Sequence, residues 1–309
     1  MALPNIESLE LGPAKYTLGS GATIASKSGA TLTTSLSDYS VEGELSGMVH
    51  RRRLHLKAEV SFTPDDQITT NIIAALFPFL TSASGISAFI GSSGAAVPLK
   101  IETMDGKKFE LLDACLTKMP DLNFAVNKGL FGTCTFRARP AYGKAPGAAD
   151  SLIKKGTSAW VAPTFANEDY CVGTPTLTWD TTTIDSEGDD GWTAQFNAKT
   201  NDVMANQRLR DIRFMGFEIM VRGIPTDATP DTVITAAALN TDVVNSGEST
   251  RTIAKPLVLT MGGLILTIPL AAPVSAGFRF GATTIRNGEI GFVSVKNFSG
   301  PVICTIDKS

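Results

Sequence analysis

Two stretches of this chain repeat one another, and that repeat narrows the folds open to it more than any other feature. Residues 104–138 read MDGKKFELLDACLTKMPDLNFAVNKGLFGTCTFRA, and residues 261–294 read MGGLILTIPLAAPVSAGFRFGATTIRNGEIGFVS. A single gap aligns them. At the offset of 156 residues that carries Phe124 to Phe280, Leu122 falls on Phe278, Gly132 on Gly288 and Phe136 on Phe292. Apolar residues alternate with others in both copies, which is the period of strands rather than helices. Asp105-Gly106 corresponds to Gly262-Gly263, and both pairs suit the positive φ angles of tight hairpins; Asn287-Gly288 reads as another hairpin turn.

A second pair of segments extends the repeat upstream. TPDDQIT at residues 63–69 is nearly copied by TPDTVIT at residues 229–235. Each reads as a helix start, with Thr63 or Thr229 as N-cap, proline at the first helical position and acid near the positive helix end. Ile68, Ile72, Ile73 and Leu76 follow in one copy and Ile234, Ala238 and Leu239 in the other, which predicts two short amphipathic helices. Strands precede each: Leu54, Leu56, Ala58, Val60 and Phe62 alternate in the first half, and Met215, Phe217, Ile219 and Val221 in the second.

The expected fold is therefore mainly β: two tandem β-sandwich or barrel units, each with one short flanking α-helix. Residues 1–145 form the first unit, residues 146–170 a linker rich in Ala, Gly, Pro and Ser, and residues 171–309 the second unit. Within the join a short helix over residues 148–155 is expected. The Gly- and Ser-rich stretch up to about residue 29 reads as an extended arm rather than core.

Length and composition permit this: 309 residues with 43% apolar content are enough for real cores. The formal charge of -3 gives no global reason to bind nucleic acid or an anionic membrane. No basic stretch followed by an apolar run opens the sequence, so a cytoplasmic origin is expected. Cys115, Cys134, Cys171 and Cys304 are dispersed without a CxxC, the pattern of free structural thiols.

Catalysis finds little purchase. His50 and His55 are the only histidines, and the sequence contains no HExxH, no GxSxG and no phosphate-loop lysine. No cofactor, metal or enzyme activity is expected. Asp185, Glu187 and Asp189 alternate as in a calcium loop, but the sixth position is Asp190 rather than glycine and the twelfth is Phe196 rather than glutamate, so a solvated loop is the reading. Trp160, Trp179 and Trp192 read as core or interface anchors, with a sugar site as the competing use. Residues 256–278 carry no charge over a membrane-spanning length, yet Gly262, Gly263, Pro269 and Pro273 divide them, which predicts a buried or interface hairpin.

The most charged segment runs from residue 35 to residue 53. Asp38, Glu42 and Glu44 precede Arg51, Arg52 and Arg53 within one long loop or hairpin before the strand at Leu54. No aromatic residue is interleaved with the arginines, so an inter-subunit or inter-ring contact is preferred to phosphate binding. Opposite charges at the two ends would suit head-to-tail stacking.

The pattern of strand, TPD helix and DGKK hairpin, with LTKMPDLNF and GLFGTCTFRA behind it, resembles the tail-tube (major tail) proteins of long-tailed bacteriophages. The resemblance covers most of residues 30–140 and reaches residues 175–309 through the internal repeat, with PVSAGF standing in place of the KMP segment. It implies a structural virion protein in which six small β units close a ring whose inner strands form a barrel around a channel. Rings stack into the tube through which DNA leaves the capsid. Two units per chain then imply a homotrimer with pseudo-sixfold symmetry. Implied partners are the chain itself, the tail terminator, distal tail and tape-measure proteins at the tube ends, and DNA only in transit, with no membrane. A neutral or negative lumen is also expected, with carboxylates near Asp105, Glu110 or Glu289 outnumbering Lys107, Lys108 and Lys128 on the inner faces. The tube of a contractile injection apparatus and a tandem β-sandwich module binding a ligand or carbohydrate are the alternatives.

Overall fold

The structure, a computed structural model, describes the chain except for residues 1–5, 13, 20, 22, 28, 44–46, 78–96, 140–151, 165, 167–169, 187–189, 206–207, 227–253, 276–277, 281–284, 296–302 and 309. It is mainly β, built from antiparallel sheets, with one α-helix among the described residues.

Two long hairpins organise it. Strands β4 (Ala30–Gly43) and β5 (Gly47–Phe62) form the first, and β14 (Trp192–Ala205) and β15 (Arg208–Gly223) the second. They match in strand length, 14 and 16 residues in each, and in their irregularities. The first is bulged between Ser37 and Asp38 and between Val41 and Glu42; the second is bulged between Lys199 and Thr200 and between Val203 and Met204. Bulges re-aim a strand and raise its twist, so both hairpins bend at the same two levels.

What flanks them recurs as well. β10 (Cys134–Ala138) pairs with β5 so that Phe136 faces Val60, while β20 (Ile290–Ser294) pairs with β15 so that Phe292 faces Val221. Beyond β10 lies β8 (Ala114–Lys118); beyond β20 lies β17 (Leu264–Ser275). A second sheet in the first half runs β11 (Ile153–Thr157), β7 (Lys107–Leu111), β6 (Leu99–Thr103), β2 (Ala14–Leu18), β3 (Thr23–Ala25). Its counterpart is β21 (Thr305–Lys308), β17, β16 (Lys255–Met261), β12 (Thr176–Trp179), β13 (Thr182–Ile184). The glycine turns fall where expected, with Gly106 at φ 80° between β6 and β7 and Gly262 and Gly263 at 52° and 85° between β16 and β17. Residues 256–278 are thus mostly a hairpin, and no helix among the described residues is long and apolar enough to cross a membrane.

One difference between the halves has a local cause. β7 and β8 are separate strands, whereas β17 is continuous through the equivalent point. At that break Asp113 is buried, receives Arg139 Nε at 2.8 Å and Nη2 at 3.2 Å, and accepts the Val97 N–H at 3.2 Å. A buried carboxylate needs such partners, and satisfying them turns the chain out of the sheet. The second half carries the uncharged Ile268-Pro269-Leu270 in this stretch and has no charge to satisfy.

Several expectations need correction. The helix α1 spans Thr70–Leu76 and is capped by Thr69, whose Oγ1 accepts the Ile72 N–H at 3.2 Å; Thr63 is not its N-cap. Thr63 to Gln67 is not helical because its polar groups are taken elsewhere: Pro64 bridges Ser26, and Asp65 N–H donates to the Ala25 carbonyl at 2.8 Å. The same contacts recur at Pro225 with Ser186 and at Thr226 N–H with the Asp185 carbonyl, 3.0 Å. The place of Thr63-Pro64-Asp65 is therefore held by Ile224-Pro225-Thr226, and the second TPD copy, with the helix expected after it, lies outside the described residues. Thr69→Ala is expected to lower stability by about 1 kcal/mol, and Thr63→Ala by less, in denaturant titrations.

Nor are the first 29 residues only an arm. Tyr16 and Ile24 are fully buried, and the Tyr16 ring stacks on Phe62 with centroids 3.6 Å apart, so β2 and β3 belong to the core. Residues 153–155 of the expected linker helix are strand β11 instead, paired along β7, so the linker's middle is part of the first half's sheet. Asn287-Gly288 closes no hairpin, since β19 (Ile285–Asn287) pairs backward with β18 (Phe278–Phe280) and β20 pairs with β15 and β17.

One hydrophobic core runs through both halves, from Phe62 and Phe136 to Trp192, Val221 and Phe292. Burial pushes the Tyr16 phenol and the Cys134 and Cys304 thiols well above their ordinary values. In the unfolded chain the thiols ionise near pH 8.5 and the phenol near pH 10. Groups raised by folding leave stability intact below those values and remove it as pH climbs above them, at about 1 kcal/mol per pH unit for each group in its window. The melting temperature is expected to be flat to about pH 8 and to fall from about pH 9 upward, where the unfolded chain's thiols and phenol lose their protons and the folded ones keep theirs.

Candidate assembly interfaces

The long hairpins outrun their sheets. β1 (Ile6–Leu11) covers β4 only from Ala30 to Ser35, and β10 covers β5 only from Glu59 to Phe62. Among the described strand pairings, residues 36–43 and 47–58 form a ribbon with no third strand on either edge. The second hairpin repeats this: one neighbouring strand stops at Ala194, β20 stops at Met220, and among the described strand pairings residues 195–205 and 208–219 form ladders only with each other. Strands of 16 residues span about 50 Å, and a two-stranded ribbon alone in water is marginal at best. Bare strand edges are templates for further strands.

The predicted contact residues lie on the first ribbon. Arg51, Arg52 and Arg53 are inside strand β5 rather than in a loop before it, and Asp38 and Glu42 are inside β4. The register sets Arg53 opposite Asp38, Arg52 opposite Tyr39, Arg51 opposite Ser40 and Met48 opposite Glu42. Glu44 lies outside the described residues. Because the chain reverses at the hairpin tip, acidic and basic residues share the distal half of one ribbon and do not mark its two opposite ends.

A second interface lies inside the chain, where its halves meet. β9 (Leu122–Phe124) follows β8 in the first half but pairs with β14 of the second, Phe124 opposite Trp192, Asn123 opposite Thr193 and Leu122 opposite Ala194. Thr193 Oγ1 and Asn123 Oδ1 are 3.1 Å apart, so the hydroxyl donates to the amide carbonyl. Gly191 enters the joint at φ 59°, and a Cβ there would collide with the Phe124 carbonyl and Ala125. Close backbone approach and a left-handed conformation both require glycine here.

Further along, the second ribbon crosses the first half's sheet. Arg137 on β10 is 8% exposed and donates to Asp202 on β14 through Nη1 at 2.8 Å and Nη2 at 2.9 Å, a two-pronged pair. Glu59 stands 3.6 Å from its Nε. Ile212 on β15 packs with Cys115 on β8, Phe77 meets Phe196 at 4.9 Å, and Lys128 pairs with Asp190 at 3.3 Å. No sequence signal marked Arg137, since its partner is far along the chain and neither residue belongs to a motif.

The remaining candidates carry less. Trp179 and Trp192 are buried, Trp179 donating to the Ala271 carbonyl at 3.0 Å, so neither is presented to a sugar. Trp160 is half-buried with the Lys15 ammonium 5.7 Å from its ring centre. Lys15 also lines an open cleft with Thr23, Thr69, Ile72 and residues 161–164, but it is held by Glu102 at 3.0 Å and faces no second titratable group in that lining. Hydrogen bonding from Ser158 lowers the Glu102 carboxyl, which favours the charged form of that pair. Asp185 is exposed, while Glu187 and Asp189 lie outside the described residues. No group of three potential metal ligands occurs among the described residues.

Comparison of the chain with protein-family models and with curated proteins returns no match. The functional reading rests on the interfaces themselves.

Proposed function

We propose that this chain is a structural virion protein that polymerises as stacked rings into the tail tube of a long-tailed bacteriophage, the conduit for DNA ejection. The observation that carries the reading is the pair of equal, identically bulged ribbons whose edges have no third strand among the described pairings. Each would be completed by ribbons of neighbouring units, and six such ribbons closing side by side make a barrel without edges. Three chains supply six ribbons, so the ring is a homotrimer with pseudo-sixfold symmetry. No catalytic step and no cofactor belong to this function; the tube acts by its shape and its surface.

The lumen is neutral or negative in this reading, because a basic wall would hold the phosphates it must release. Asp105, whose carboxyl is held down at about 2 by hydrogen bonds from Lys107 and Thr103, is ionised throughout the physiological range. Lys107, 2.6 Å from Asp105, and Arg222, 3.5 Å from Glu289, are each offset by a carboxylate. Arg51, Arg52 and Arg53 on the first ribbon meet a neighbouring subunit or ring. Replacing Arg51 and Arg52 together by glutamate is expected to leave the melting temperature within a few degrees of the parent and to stop tube growth, as read by sedimentation.

Negative-stain microscopy of the purified chain tests the function. Rings or tubes are expected; discrete monomers at high concentration would overturn the reading in favour of a tandem binding module.

A further inference from the structure

The joint between the halves of one chain is matched by an unused copy of the same parts. β18 and β19 form a two-stranded hairpin that pairs with no other strand among the described residues. Its register is that of β9 and its return segment carried forward by 156 residues. Leu122 bridges Phe131 as Phe278 pairs with Asn287, and Asn123 N–H donates to the Leu130 carbonyl at 2.8 Å where Arg279 pairs with Arg286. The surface that receives β9 is also present twice. Trp192, Thr193 and Ala194 of β14 stand opposite Gly223, Arg222 and Val221; Thr31 and Leu32 of β4 stand opposite Ser61 and Val60, the matching positions of β5.

We infer that β18 of one copy adds to β4 of a second copy of this chain, antiparallel, with Phe280 opposite Ala30, Arg279 opposite Thr31 and Phe278 opposite Leu32. The occupant is fixed by continuity with the β9 and β14 joint, whose donor and acceptor are both repeated. In the single chain that slot on β4 is held by β1, with Leu11 opposite Ala30, Glu10 opposite Thr31 and Leu9 opposite Leu32. β1 is thus a placeholder that covers a strand edge until a second copy displaces it, which protects the free chain from mispairing. The joint is head-to-tail, so it repeats until a ring closes. The same superposition lays the first ribbon across the neighbouring copy, Ser40 taking the place of Asp202 and Arg51 that of Ile212. It rests on the assembly reading in requiring a second copy and, for the trimer endpoint, a ring of three chains.

Two full-length variants made with Cys171→Ser, which removes the one partly exposed thiol of the four, test it. Directly opposed antiparallel residues have Cβ atoms about 4.5–5.5 Å apart, near the span of a disulfide. Thr31→Cys with Arg279→Cys should give covalent multimers ending at trimer on a non-reducing denaturing gel after mild oxidation of assembled protein, with monomer only in reductant. Thr31→Cys with Glu10→Cys should close within one chain, block assembly when oxidised and restore it when reduced. Rings that form without the first cross-link, and despite the second, overturn the docking while leaving the tube reading intact. A monodisperse monomer with no cross-link at any concentration overturns both.

Discussion

Replacing Arg137 by alanine is expected to lower the free energy of unfolding by about 3 kcal/mol, the lower end for breaking a buried ion pair by removing one partner. The guanidinium is almost wholly enclosed, whereas its partner Asp202 keeps about a third of its side chain exposed and recovers some hydration when abandoned. That partial exposure sets the estimate at the low end. Arg137→Met combined with Asp202→Leu should recover most of the loss, because the desolvation cost disappears with the charges. Denaturant titrations of the parent, Arg137→Met, Asp202→Leu and the double close the cycle. A cost under about 1 kcal/mol for Arg137→Ala would mean that the second ribbon does not lie on the first half's sheet as described.

Trp192→Ala should be costlier, about 4 kcal/mol, within the range for truncating a fully buried aromatic. Trp192 is 0% exposed, lies opposite Phe124 in the joint, and packs so closely on Gly223 that a Cβ on that glycine would strike its ring. The indole therefore fills the space between β9, β14 and β15, and neither glycine nor the strand backbone can collapse into the void. Its counterpart, the first residue of β4, is Ala30. Ala30→Gly removes a single methyl and is expected to cost far less, so the contrast separates loss of packing from general damage to a hairpin base. Unfolding followed by far-UV circular dichroism reads both.

The repeat was legible because strand period, glycine turns and a constant offset are local properties. Phe124 and Phe280, and Phe136 and Phe292, were paired by position in sequence, and β9 with β18 and β10 with β20 are the strands that hold them. Three kinds of fact were not legible. The helix start at Thr63 failed because a proline and an acid after threonine suit an extended strap as well as a cap, and the bridge between Pro64 and Ser26 decides between them. The core position of Tyr16 was hidden by surrounding glycine and serine, whose composition says nothing about a partner such as Phe62. Which sheet edge β9 joins is a tertiary choice, and the period of LNF is the same on either edge.

The interface residues divide in the same way. Arg51, Arg52 and Arg53 stand out in the sequence as a charge run, but it is the hairpin register that sets Arg53 opposite Asp38 and all three on a ribbon with no flanking strand among the described pairings. Arg137 and Asp202 are ordinary residues in ordinary strands, and only the crossing of the second ribbon over β10 gives them a role.

In the proposed ring each chain counts twice, once for each of its equivalent halves. Native mass spectrometry of the smallest closed assembly counts the chains. The predicted mass is that of three 32.6 kDa chains; a ring of six chains, which would place twelve halves around the axis, would contradict it.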